Sequence, residues 1–102
     1  MKKLELCFIG GSKDEFKELA IERFAVDLEM MMNGLQPLSQ SKPLNGLGKG
    51  VFELKKNGRP AYRCVYVIKN QTIYVLHAFS KTANGTPKSN ETTIKQRYKS
   101  IP

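Results

Sequence analysis

The stretch from Val51 to Lys81 constrains the fold more than any other part of this chain. It reads as three consecutive strands: Val51-Phe52-Glu53-Leu54-Lys55, Tyr62-Arg63-Cys64-Val65-Tyr66-Val67-Ile68 and Thr72-Ile73-Tyr74-Val75-Leu76-His77-Ala78-Phe79. β-Branched and aromatic residues fill the runs. The gaps, Lys56-Asn57-Gly58-Arg59-Pro60 and Lys69-Asn70-Gln71, hold turn formers. Gaps this short join antiparallel neighbours, so the spacing predicts an antiparallel meander. In the first run Phe52 and Leu54 alternate with Glu53 and Lys55, which assigns the apolar pair to the core and the charged pair to an exposed face. The other two runs are apolar on both faces apart from Arg63 and His77, as central strands are. Packing does not explain an arginine in the middle of such a strand.

The flanking segments read as scaffold. Leu4 to Ile9 is a short apolar run ended by Gly10-Gly11, a first strand of the same sheet. Ser12 ahead of Asp14-Glu15 reads as an N-cap with acids in the first turn, opening a helix from about Lys13 to Met32. Phe16, Leu19, Ala20, Phe24, Leu28 and Met31 form its core stripe, and Glu15, Glu18, Glu22 and Glu29 keep to another side. Met30-Met31-Met32 fills core at the helix end or offers an adaptable surface. Asn33-Gly34 stops the helix, and Gln36 to Pro43 reads as a polar connector. Leu44-Asn45-Gly46-Leu47-Gly48-Lys49-Gly50 has three glycines at alternate positions. It lacks the Gly-Lys-Ser/Thr ending of a phosphate loop and is followed by a strand, so it reads as a close approach to the sheet with its leucines beneath. After a loop from Ser80 to Gly85, Thr86-Pro87 opens a last helix to about Ser100. Ile94, Tyr98 and Ile101 face its core side, with Lys88, Lys95, Arg97 and Lys99 solvated or turned to a polyanion. The fold class expected is α+β, one domain over residues 1–102.

Charge separates the two parts. Residues 1–41 carry five Lys/Arg against seven Asp/Glu, while residues 42–102 carry twelve against two, within a net charge of +8. The basic part holds the meander, which favours a polyanionic partner such as nucleic acid or the ribosome; a basic surface kept for solubility is the plainer alternative. No basic amphipathic helix with a Trp/Phe/Leu face supports a membrane partner, and no run approaches the roughly 18 apolar residues of a membrane span. Met1-Lys2-Lys3 is followed too soon by Glu5 for a signal peptide, so a cytoplasmic location is expected. Cys7 and Cys64 fall inside strands without a CxxC or a second histidine, so neither a metal nor a cofactor is expected.

Taken together, Leu44-Asn45-Gly46-Leu47-Gly48-Lys49-Gly50-Val51-Phe52-Glu53-Leu54, Tyr62-Arg63, His77-Ala78-Phe79-Ser80-Lys81, Thr86-Pro87 and the helix ending in Asn33-Gly34 resemble the phage-derived, HigB-like branch of the RelE/HigB toxin superfamily. The resemblance covers nearly the whole chain. It implies a RelE-like fold with an N-terminal strand and helices, an antiparallel sheet meander and a C-terminal helix. It also implies an endoribonuclease that enters the ribosomal A site, cuts messenger RNA there, and is held inactive by a cognate antitoxin, often a helix-turn-helix protein. The chain departs from the family at Thr82-Ala83-Asn84-Gly85, where two further cations are usual. The alternative is a non-catalytic protein of the same fold that binds an antitoxin or acts on another target.

Metal-independent RNA cleavage needs the 2′-OH deprotonated, the phosphate charge stabilised and the leaving 5′-oxygen protonated. Arg63 is the first candidate for the phosphate, because a guanidinium presents a planar fork and keeps its charge; an ion pair with Glu53 is the alternative, and the two are compatible. Lys81, which the resemblance singles out, and Lys55 are further phosphate candidates or ordinary surface charges. Glu53 is the sole acid between Glu29 and Glu91, and so the carboxylate available as base on the meander or as a partner that orients Arg63. His77 titrates near neutrality when unperturbed, yet it sits in a strand that reads as buried, sharing a face with Ile73, Val75 and Phe79 if the ladder is regular. It is either a satisfied core histidine or an acid–base group. Lys49, Lys56, Arg59 and Lys88 are the candidates for holding RNA along its backbone.

Overall fold

A computed structural model describes residues 3–58, 60–81 and 88–102 of the chain. In order it contains β1 (Glu5–Phe8), α1 (Ser12–Leu19), α2 (Glu22–Met32), β2 (Gln40–Pro43), β3 (Val51–Lys56), β4 (Ala61–Lys69), β5 (Thr72–Lys81) and α3 (Lys88–Lys99). The strands form one sheet in the order β1-β5-β4-β3-β2. β2 through β5 pair antiparallel, and β1 lies parallel to β5. The α+β architecture, the meander and the central position of β4 and β5 agree with the reading of the sequence.

Four local expectations are corrected. The helix between Ser12 and Met32 is two helices, broken where Ala20 adopts φ 51° and its N–H bonds the carbonyl of Lys17. Ala20 is therefore exposed rather than part of the core stripe. Ser12 does not cap α1; its hydroxyl is buried and donates to the carbonyl of Val75 at 2.9 Å. β1 pairs with β5 only as far as Val75, so α1 meets part of the open edge beyond it. The supposed connector from Gln36 to Pro43 contains β2, a short edge strand exposed along its whole length. β5 runs on through Ser80 and Lys81, where a loop was expected. The rest of that loop, including Thr82-Ala83-Asn84-Gly85, and the helix start at Thr86-Pro87 lie outside the described residues, as does Arg59.

Each face of the sheet packs against its own helix. On one face Leu54, Cys64, Tyr66, Ile73 and Val75 meet Phe24, Leu28 and Met31 of α2. On the other, Val51, Val65, Val67, Tyr74, Leu76 and Phe79 meet Ile94 of α3 and Leu47. Burying a side chain of this size contributes roughly 1.5–3 kcal/mol, so these two layers carry most of the drive to fold. The glycine-rich loop touches the sheet at Gly50, where a Cβ would lie 3.6 Å from Val67, but its tightest approach is to α3: a Cβ at Gly48 (φ 139°) would lie 2.8 Å from the Tyr98 ring. Tyr98 also donates to the Lys49 carbonyl at 3.1 Å.

A bulge in β5 sets the orientation of its second half. Val65 pairs with His77 and Tyr66 with Val75, leaving Leu76 as the extra residue. His77 consequently turns away from the face of Ile73 and Val75, where regular alternation had put it. It shares the other face with Leu76 and with Phe79, whose ring stacks on it at 4.9 Å.

Candidate functional site

The register of the sheet gathers the charged candidates. Lys42 pairs with Glu53, Lys55 with Arg63, Arg63 with Phe79, and Ala61 with Lys81. Directly paired residues, and residues two apart on one strand, project to the same face. Lys42, Glu53, Lys55, Arg63 and Lys81 therefore share the face that carries α3, beyond the apolar patch that helix covers. Four cations from four strands surround one carboxylate. Lys42 is exposed and Lys55 and Lys81 are half-buried, whereas Arg63 and Glu53 are each only 5% exposed. Glu53 was expected on the surface; its face is the right one, but the neighbouring strands and side chains enclose it.

Lys55 and Arg63 sit directly opposite each other, a like-charge pairing that destabilises a sheet unless it is offset. Glu53 supplies the offset diagonally, with Oε1 3.7 Å from Arg63 Nε. That separation is an ion pair without a hydrogen bond. Arg63 Nη1 donates instead to the carbonyl of Tyr62 at 2.9 Å. Among the described residues, Glu53 Oε2 and Arg63 Nε are buried with no hydrogen-bond partner. Such atoms are rare in a folded protein. Burial holds the Lys81 ammonium below the usual lysine range, the charges of Arg63, Lys55 and Lys42 push it the same way, and Glu53 opposes them.

His77 belongs to a separate network. Its Nδ1 lies 2.8 Å from Glu15 Oε1 and its Nε2 2.7 Å from Asn90 Oδ1. Arg97 binds both oxygens of Glu15, at 2.7 and 3.1 Å, and donates to the Leu76 carbonyl at 2.9 Å. Burial alone would raise the Glu15 carboxyl, but hydrogen bonds from Arg97 and His77, with their charges, hold it below the usual carboxylate range. Both ring nitrogens of His77 are engaged in fastening α1 and α3 to β5. Neither Glu15 nor Arg97 is the solvated charge that its helix pattern suggested.

The candidates for holding RNA are scattered. Lys56 follows Lys55 and so projects to the opposite face, its Nζ 5.8 Å from the centre of the Tyr62 ring. Lys49 is exposed in the glycine-rich loop and Lys88 at the start of α3. Among the described residues no three His, Cys, Asp or Glu side chains gather as metal ligands would, and no helix is long and apolar enough to cross a membrane.

The family model described as Phage derived protein Gp49-like (DUF891) matches residues 14–99. The chain belongs to that family. No curated protein matches it significantly. The matched span of this Gp49-like chain contains every member of the cation group. One member, Lys42, was not revealed by the sequence because it sits in a segment read as connector; only pairing with β3 brings it to the group. Glu15, Asn90 and Arg97 were missed as partners of His77 because up to 62 residues separate them from it. Their one sequence signal is an acid on a helix that faces a sheet containing a lone histidine.

Proposed function

We propose that this Gp49-like chain is the toxin of a toxin–antitoxin pair, related to RelE and HigB, that acts in the cytoplasm by cutting messenger RNA in the ribosomal A site until a helix-turn-helix antitoxin restrains it. The observation that carries this reading is the convergence of Lys42, Lys55, Arg63 and Lys81 around Glu53 on one face. Such a surface meets the requirements of RNA cleavage with side chains alone. The unpartnered Glu53 Oε2 takes the proton of the 2′-OH as the 2′-oxygen attacks phosphorus. Arg63 holds the phosphate oxygens while the added negative charge builds up, the task to which electrostatic catalysis contributes most. Lys81, its pKa lowered, gives a proton to the 5′-oxygen as the P–O5′ bond breaks, leaving a 2′,3′-cyclic phosphate and a 5′-hydroxyl. Lys42 and Lys55 hold the flanking phosphates.

Induced expression followed by mapping of 5′ ends on translated messages tests this reading. Wild type should produce cuts within ribosome-occupied messages, and Arg63→Ala should reduce them by roughly 10²–10³-fold, the cost of removing one preorganised donor. Growth arrest with intact transcripts would sink it.

The burial of Arg63 and Glu53 favours a second reading, in which the pair serves the sheet and the chain binds RNA or an antitoxin without cutting. Harmless expression together with tight binding would support that one.

A further inference from the structure

The face of the sheet that carries α2 is incompletely covered. α2 seals Leu54, Cys64, Ile73 and Val75, but beside its C-terminal end a groove of about 560 Å³ remains, lined by Leu4, Met31, Leu35, Phe52, Tyr66 and Ile68 among others. Three of these are large hydrophobics open to solvent: Leu35 at 53%, Ile68 at 48% and Phe52 at 37% exposure. Scattered exposed hydrophobics are ordinary, but a contiguous set along a groove marks an interaction surface. This groove lies on the opposite face from the cation group and at the other end of β3 and β4.

We infer that the groove receives an amphipathic helix of an acidic partner protein, laid beside α2 so that its apolar stripe covers Leu35, Phe52 and Ile68. Shape favours a helix, because the groove lies beside the C-terminal end of α2 and helices pack side by side at about 8–10 Å. Charge selects the partner. The groove lining is uncharged, and the exposed Lys3 and Lys49, both outside the strands, adjoin Leu4 and Gly50 of that lining, within a net charge of +8. Lys42, Glu53, Lys69 and Glu5 also adjoin lining residues, but they project to the other face. A second copy of this chain would bring another net charge of +8 against the first, which disfavours self-association. The inference locates where an antitoxin-like partner holds the chain, but it does not depend on RNA cleavage.

The test is peptide binding to the purified full chain, measured by fluorescence anisotropy without RNA. One probe is a labelled helical peptide with Leu on an i, i+3, i+4, i+7 stripe and Glu elsewhere; the other carries Lys in place of Glu. The Glu peptide should bind, the Lys peptide at least tenfold more weakly, and Ile68→Asp and Leu35→Asp should each reduce Glu-peptide binding at least tenfold. Both substitutions fall at solvent-exposed positions, and an unchanged far-UV spectrum and melting curve certify the fold. Arg63→Ala, which removes the proposed catalytic cation, should leave peptide binding intact. Three results would overturn the inference: equal binding of both peptides or of neither, loss on Lys42→Ala or Lys55→Ala without loss on Ile68→Asp, or a wild-type dimer by sedimentation that Ile68→Asp converts to monomer. The first removes charge selection, the second moves the helix to the cation face, and the third assigns the groove to a second copy.

Discussion

At the scale of single residues, the charges on this chain do two different jobs and respond differently to perturbation. Lys81 is depressed first by burial and then by its cationic neighbours, so removing a neighbour should let it recover. Lys42→Ala and Lys55→Ala should each raise the Lys81 pKa, and Glu53→Gln should lower it further; Nζ-detected NMR titration reads both directions. Glu15 behaves in the opposite sense. Its folded-state pKa lies below the unfolded value, so its contribution to stability is complete above the ordinary carboxylate range of about 4.3 and is lost as pH falls through the depressed value. Urea midpoints compared for wild type and Glu15→Gln should therefore differ most near neutrality and converge in acid. An unchanging gap would show that the Arg97 and His77 contacts do not stabilise the carboxylate. Neither partnership was legible in the sequence. Glu15 and Arg97 each sit in a helix pattern that predicts solvent, and only the tertiary fold makes them neighbours.

At the scale of elements, β3, β4 and β5 were legible because their sequences alternate or saturate with β-branched and aromatic residues and are separated by turn residues. β2 was not. Gln40-Ser41-Lys42-Pro43 has no apolar alternation, and its strand character comes entirely from backbone pairing with β3. The Leu44 N–H bonds the Val51 carbonyl, so the adjacent Pro43 nitrogen points away from β3. An edge strand tolerates proline in that position, and the missing N–H discourages further pairing. The break between α1 and α2 was hidden for a different reason: apolar residues continue through it at helical spacing, and alanine gives no breaking signal. Ala20 nevertheless occupies the left-handed region, which costs an L-residue roughly 1–2 kcal/mol and glycine much less. Ala20→Gly should raise the melting temperature by a few degrees. A loss of stability would mean that the greater freedom glycine gives the unfolded chain outweighs the relief of strain.

At the scale of the whole molecule, the cation group and the apolar groove lie on opposite faces and toward opposite strand ends, so a nucleic acid and a protein partner need not exclude each other. The cation face has a quantitative signature. Single-stranded nucleic acid gives a slope of log affinity against log salt of about −0.7 per neutralised phosphate, so four cations predict roughly −3. Lys42→Ala should flatten that slope by about 0.7, whereas Lys56→Ala, on the other face, should leave it nearly unchanged. Equal effects would mean that RNA does not follow the strand register.

That register depends on one surplus residue. In an uninterrupted strand, Ile73, Val75, His77, Phe79 and Lys81 occupy odd positions and all point the same way, into the oil beneath α2. Leu76 inserts a half-step, so the odd residues point to the α2 layer before the bulge and to the α3 layer after it. One strand thus supplies core to the α2 layer with its first half, and core to the α3 layer and a cation at its end with its second. Removing the half-step forces a choice: either Ile73 and Val75 leave the core, or Lys81 enters it.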